Sequence, residues 1–470
     1  MRRFAAVSSP AALAVATLAT VALLLPAASA RAAERLTDDA IVARLRDYLR
    51  IDTSNPPGNE MKAARFFKEW FDAEGIASEI FEYAPGRAVI RARLPGNGSR
   101  RPLLLANHMD VVQAERPYWS VDPFAGTLKD GFLYGRGALD MKTTGLLEAA
   151  TMVNLRRSGT TLSRDILFLG TSDEEVEASA IDWVVNERPD LVRDAEFALN
   201  EGSVIDAVGG KAQTWSVAVT EKCPFWLRVT AKGRPGHGSM PFKENNAVLH
   251  LLKALGKIAA WETPIRVTDT AAAYFRARAA SQPATMAAAW RDIRKGLQDP
   301  AVRRKVLADP ALNAILRNTI AITVLEGGPQ TNVIPTVAEA QLDVRLLPGE
   351  DPDAFLAEIR RRVDDASITI EPLAPYRAAT ESPLDSEIMR AIERARARHT
   401  PAAILAPTML TGWTESATLR TLGIKAYGFE PYVLDSSEQD RQHGNDERIA
   451  VENVLNGARI LEEIVLDVAR

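Results

Sequence analysis

The sequence predicts an α/β protein, a doubly wound domain carrying an inserted α+β sandwich. Three observations lead there. Short apolar runs at 103–106, 166–169 and 197–199 each stop abruptly at polar residues: Asn107-His108, Thr171-Ser172-Asp173-Glu174-Glu175 and Asn200-Glu201-Gly202. Buried parallel strands have this pattern, and ligands gather at their carboxyl ends. Between the runs lie stretches with helical spacing of apolar residues, as strand–helix alternation requires. Beyond about 217 the texture changes to half-exposed alternation, as at Phe225, Leu227 and Val229. A chain of 470 residues with 46% hydrophobic content is long enough for two or more domains.

Taken in order, residues 1–32 read as a signal peptide. Arg2 and Arg3 precede an apolar segment over 11–26, and Ala28-Ser29-Ala30 supplies small residues for cleavage. The expectation is export to the periplasm or exterior, with no membrane anchor after cleavage. Residues 33–215 form the first part of the large domain. A helix over 36–49 is capped by Thr37, Asn55-Pro56-Pro57-Gly58 breaks the chain, and a second helix follows over 61–71. A strand over 88–94 and a Pro95-Gly96-Asn97-Gly98 turn lead into the central stretch, 103–142, which opens a helix after Asp140. Residues 216–378 form the inserted sandwich: a strand near 225–229, a GRPGHGSMP loop, a helix over 247–258, strands at 320–325 and 338–346 around GGPQTNVIP, a helix over 353–363 and a strand at 367–370. Within it, 263–317 is an Ala/Arg-rich helical insertion. Residues 379–470 complete the large domain with a strand at 426–429, a loop at 442–448 and a closing helix over 454–468.

A net charge of −4 gives no basic face, so nucleic acid is not an expected partner. The single cysteine, Cys223, excludes an internal disulfide and a cysteine zinc cluster, so any metal must rest on carboxylates and five histidines. His108 and Asp110 stand two apart. In an extended segment both then point to one side, and the carboxylate can accept the imidazole's second N–H while the other nitrogen binds a metal. Asp140 follows Gly135-Arg136-Gly137 and opens a helix. The polar residues at strand and helix ends are thus His108, Asp140, Glu174, Glu175, Glu201 and His443. Two histidines and three carboxylates suffice for two ions that share one carboxylate, and a fourth carboxylate remains for proton transfer. Nitrogen and oxygen donors with a position open to water suit zinc and amide hydrolysis.

HMDVV, WSVDPF, GRGALDMK, TSDEE, NEG, GHGSMP, TNVIP, DVR and HGNDE occur in this order across most of the chain. The sequence resembles the co-catalytic zinc metallopeptidase family that contains glutamate carboxypeptidase, aminoacylase, carboxypeptidase S and succinyl-diaminopimelate desuccinylase. The resemblance implies a zinc-peptidase catalytic domain with a lid and dimerisation sandwich, and two Zn²⁺ per chain, with Co²⁺ or Mn²⁺ as substitutes. It implies that His108, Asp140 and Glu201 hold one ion and Asp140, Glu175 and His443 the other. It assigns proton transfer to Glu174, orientation of His108 to Asp110, and a cis peptide to Asp140-Met141. It carries His237 over as an oxyanion donor reaching a partner subunit's site, and Asn332 and Arg345 as substrate contacts.

Two departures bear on specificity. Thr411-Gly412-Trp413-Thr414-Glu415-Ser416 replaces a Gly-rich, Asp-containing family segment, and the 263–317 insertion enlarges the lid, as in the carboxypeptidase S branch. The leading expectation is an exported metallopeptidase that cleaves an amide bond next to a free amino-acid carboxylate, of carboxypeptidase or dipeptidase type. The alternative is an N-acyl-amino-acid amidohydrolase. A non-catalytic binding protein on this scaffold would have lost a ligand or Glu174, and none is lost. Substrates are then peptides or N-acyl amino acids, and the expected assembly is a homodimer that pairs through an edge strand near 225–229.

Overall fold

The computed structural model describes residues 34–470, so the expected signal peptide lies outside the described residues. A ten-stranded mixed sheet organises the larger part of the chain. At its centre the strand Leu103–His108 pairs in parallel with Ile166–Thr171 on one side and Phe197–Asn200 on the other. The first two strands are buried at every residue, which is why the sequence shows continuous apolar runs there rather than alternation. Antiparallel strands Ala77–Ala84 and Arg87–Leu94 extend one edge. The first of these was not expected, because ASEIFEYA is half-exposed throughout and carries only a weak apolar face.

Helices cover both faces. Asp38–Leu49, Glu60–Ala73, Lys142–Ser158, Glu387–His399 and Val451–Ala469 pack on one side; Ser179–Asn186 and Glu415–Thr421 pack on the other. Thr37 caps the first helix by accepting from Ala40 N. The helix Lys142–Ser158 is buried nearly all round, and a Cβ at Gly145 would meet Asn107 Oδ1 at 2.7 Å. That close approach sets this helix directly against the strand that carries His108.

The second sheet runs in the order Thr319–Glu326, Val337–Leu346, Leu227–Lys232, Ile368–Pro372. Leu227 faces Leu342 and Val229 faces Ala340, and the helices Ala247–Ala259 and Pro352–Val363 close a small core over them. Two expectations change here. The strand near 225–229 is interior, bonded on both sides, so the free edges belong to Thr319–Glu326 and Ile368–Pro372. The boundary expected at 216 falls inside the strand Lys211–Glu221, which belongs to the large sheet; alternation continues across the junction and hides it.

The 263–317 insertion folds into short helices with a core of their own, including Phe275, Trp290, Ile293 and Leu316. Asp299 and Asp309, each before a proline at the first helical position, cap two of them. Met409 of the large sheet and Leu347, directly after the strand Val337–Leu346 of the small one, share this core, so the insertion packs against both.

Candidate metal centre

Four chain segments converge at the carboxyl ends of the central strands. His108 ends its strand, Glu201 follows Phe197–Asn200, Glu174 and Glu175 follow Ile166–Thr171, and Asp140 precedes the helix Lys142–Ser158. The Asp140-Met141 peptide is cis. His443 arrives from the loop before the closing helix with φ of 60°, a left-handed conformation uncommon outside glycine and found at functional sites.

The six residues singled out in the sequence are brought together. His108 Nε2 lies 3.0 Å from Asp140 Oδ1 and 3.7 Å from Glu201 Oε1. His443 Nε2 lies 2.9 Å from Asp140 Oδ2 and 3.1 Å from Glu175 Oε2. Asp140 thus presents one oxygen to each imidazole, and two sets form, His108–Asp140–Glu201 and Asp140–Glu175–His443. Within each set, ligand atoms lie within 4.8 Å of one another. Glu175 Oε1 is buried with no hydrogen-bond partner, an orphan that a bound cation would satisfy. Nitrogen and carboxylate donors in two sets sharing one residue fit two divalent ions of the zinc type.

The charges here are strongly coupled. Burial pushes the Glu174 carboxyl well above the carboxylate range, and the Glu201 charge adds to the shift. Glu175 is pushed up to about 7 by burial and by Asp140. Burial alone would raise Asp140, but hydrogen bonds from His108 and His443 hold it far below its usual value. His443 rises to about 10 through its bonds to Asp140 and Glu175. Burial opposes the His108 imidazolium, yet Glu201, Asp110 and Asp140 outweigh it and its pKa lies well above the ordinary one. Without cations, the protons on these histidines balance the clustered carboxylates.

Asp110 does more than face His108. Nδ1 of His108 lies 3.1 Å from the Asp110 backbone carbonyl and 3.5 Å from the carboxylate. The carboxylate itself accepts from Glu174 N at 3.1 Å, Glu175 N at 3.2 Å and Asn55 Nδ2 at 2.9 Å. It therefore holds the loop that carries both glutamates. Glu447 does the same for Asp140, and the sequence reading missed it although it closes the HGNDE motif. Fully buried, it accepts from the N–H groups of Gly137, Leu139 and Asp140 and from Arg136 Nη1 at 2.6 Å. Gln442, also missed, donates to Asp140 Oδ2 at 2.8 Å.

The three lid residues lie apart. His237 is exposed on the short strand Gly236–His237 and Asn332 is exposed in the turn before its partner strand Val333–Ile334, where Gly238 N donates to the Asn332 carbonyl at 2.8 Å. Arg345 is engaged with Asp343 at 2.8 Å. Among the described residues none of the three shares a hydrogen bond or ion pair with the ligand set. His250 and His399, which fit no motif, pair with Asp365 and Glu463. Glu415, in the departing segment, is buried with both oxygens unpartnered, and burial pushes it up to about 8.

Human aminoacylase-1 is 28% identical over 429 residues, covering 90% of this chain and 94% of that one. The M20 family metallo-carboxypeptidase Sso-CP2 from Sulfolobus solfataricus superposes with a TM-score of 0.70 at 17% identity, covering 91% of this chain and 99% of that one. Human carnosine dipeptidase 1 does so with a TM-score of 0.66 at 17% identity, over 92% and 96%. The model of peptidase family M20/M25/M40 matches residues 104–467, and the chain, a hydrolase with its candidate metal ligands gathered at one strand-end site, belongs to that family.

Proposed function

We propose that the protein is an exported, dizinc amidohydrolase that cleaves the amide bond next to a free amino-acid carboxylate. The observation that carries this is Asp140 standing between two histidines, each with a second carboxylate, while Glu174, within reach of the charges of Glu201, His108, Glu175 and Asp140, belongs to neither set. Divalent ions held by His108, Asp140, Glu201, Glu175 and His443 would supply Lewis-acid polarisation of the scissile carbonyl and acidify water. Glu174 performs the proton transfers. Its burial and acidic neighbours hold a proton more tightly than an ordinary carboxylate does, which matches a group that takes a proton from water and gives it to the leaving amine. Asp110 and Glu447 keep the two glutamates and Asp140 in register through backbone N–H groups.

The carboxypeptidase or dipeptidase reading is supported by the neighbouring structures, while the near full-length similarity to aminoacylase-1 favours N-acyl amino acids as a second reading. Export rests on the first 32 residues; among the described residues no helix is long and apolar enough to cross a membrane. A homodimer through the small sheet rests on its free edge, Thr319–Glu326. Elemental analysis together with turnover of a panel of dipeptides and N-acyl amino acids tests the reading. About two zinc ions per chain and cleavage of one substrate class are expected, and active protein prepared without chelator yet lacking transition metal would overturn it.

A further inference from the structure

Arg278 stands one residue beyond the helix Asp269–Ala277 of the insertion. With Tyr274 it forms one wall of a polar cavity of about 280 Å³, whose other walls include Glu201, Asp206, Glu430 and Gln442. The insertion thus reaches the edge of the metal centre. Arg278 Nη1 donates to Tyr274 Oη at 2.8 Å, and the guanidinium lies 5.3 Å from that ring's centroid. Its Nε is buried with no hydrogen-bond partner. Among the described residues no carboxylate pairs with it, although a partly buried guanidinium is costly without an anion.

The acids of the cavity do not fill that role. Asp206 accepts from Ser216 Oγ at 2.7 Å and Gln439 Nε2 at 3.3 Å. Glu430 accepts from Thr144 Oγ1 at 2.8 Å, and its burial favours the neutral acid. Arg345, which the family resemblance offers as the substrate's carboxylate partner, already holds Asp343 at 2.8 and 3.3 Å and stacks over Trp226. One guanidinium is committed to an acid of the protein, and the other, bonded to Tyr274 but to no acid among the described residues, lines the cavity that Glu201 also lines.

We propose that Arg278 binds the free α-carboxylate of an N-acyl or N-aminoacyl amino-acid substrate, which makes the helical insertion part of the specificity site. A guanidinium fork presents parallel donors to a carboxylate, and Tyr274 orients the fork. The inference rests on the proposed cleavage next to a free amino-acid carboxylate, and the test separates the two. The zinc-loaded enzyme is assayed on N-acetyl amino acids and on the same compounds with the carboxylate converted to a carboxamide. Wild type is expected to prefer the acid. Arg278→Gln should raise KM for the acid by about 10- to 100-fold, leave kcat nearly unchanged and leave KM for the carboxamide unaltered. Arg278→Lys should recover part of the loss, and Arg345→Gln should keep the preference. An equal rise in KM for acid and carboxamide would reduce Arg278 to a structural wall and overturn the proposal, as would loss of discrimination in Arg345→Gln with Arg278→Gln unaffected. A wild type that cleaves acid and carboxamide alike would instead overturn the carboxylate reading of the function itself.

Discussion

The two adjacent glutamates show how much a side chain's surroundings decide. Glu175 shares a set with Asp140 and His443, whereas Glu174, one residue earlier, belongs to neither set, yet both backbone N–H groups rest on the single carboxylate of Asp110. Glu174→Gln should therefore keep both ions and lose about 10²–10⁴ in kcat, whereas His443→Ala should lose metal and activity together. Metal content measured beside kcat checks this, and near-normal turnover by Glu174→Gln would sink the assignment. Protonation gives a second expectation. In the metal-free site His443 holds its proton up to about pH 10, and a metal takes only the neutral imidazole. Zinc binding near pH 7 should thus release protons, and affinity should weaken as pH falls. Calorimetry in buffers of different ionisation enthalpy measures the release, and none detected would contradict the raised pKa. Four of the five candidate ligands were legible in the sequence because each ends an apolar run or follows a glycine turn, whereas His443 stands in a polar loop and was marked by the HGNDE motif. Asp110's hold on the 174–175 loop and Glu447's hold on Asp140 were not, since these bonds span 64 and 307 positions and leave no local pattern.

Elements were legible where burial is one-sided or complete. The helix Asp38–Leu49 with its Thr37 cap, the helix Pro352–Val363 and the buried central strands match the periodicity of their residues. Pairing was not legible: Leu227–Lys232 alternates as an edge strand would, but its neighbours come from 105 and more residues later and cover both sides. The joint between the sheets was also hidden, and Lys222 occupies it. The side chain is fully buried, with Nζ donating to the Arg317 carbonyl at 2.9 Å and to Thr319 Oγ1 at 2.8 Å. Burial, with Arg345 nearby, pushes its pKa from 10.5 down to about 7. The unfolded chain then binds a proton between pH 7 and 10.5 that the folded chain does not, so this group makes stability rise with pH across that window. Urea midpoints measured from pH 7 to 10 should rise more steeply for wild type than for Lys222→Met. Parallel slopes would show that Lys222 stays charged in the fold.

At the scale of the whole molecule, the small sheet ends in an open edge. Thr319–Glu326 pairs with Val337–Leu346 on one side only, and Ile322, Val324 and Leu325 along it are 42%, 36% and 58% exposed. An apolar edge with unpaired backbone groups is a template for strand pairing, and a two-fold axis along it would join two sheets into one. The same axis would explain His237. In this chain the histidine is exposed; among the described residues its ring bonds to Ser239 alone, its backbone pairs with Val333, and it makes no bond to the candidate ligand set. A symmetric partner could receive it as an oxyanion donor, a role worth about 10²–10³ in rate. Charges at the edge should decide the matter: Ile322→Lys combined with Leu325→Glu should yield a monomer that keeps its metal and loses most of its turnover, as measured by light scattering beside kcat. Mixing His237→Ala with Glu174→Ala subunits should then recover activity, because a mixed dimer holds one site with both groups intact. A charged-edge monomer with wild-type turnover would place His237 outside the reaction, and mixed subunits that exchange without recovery would confine each site to its own chain.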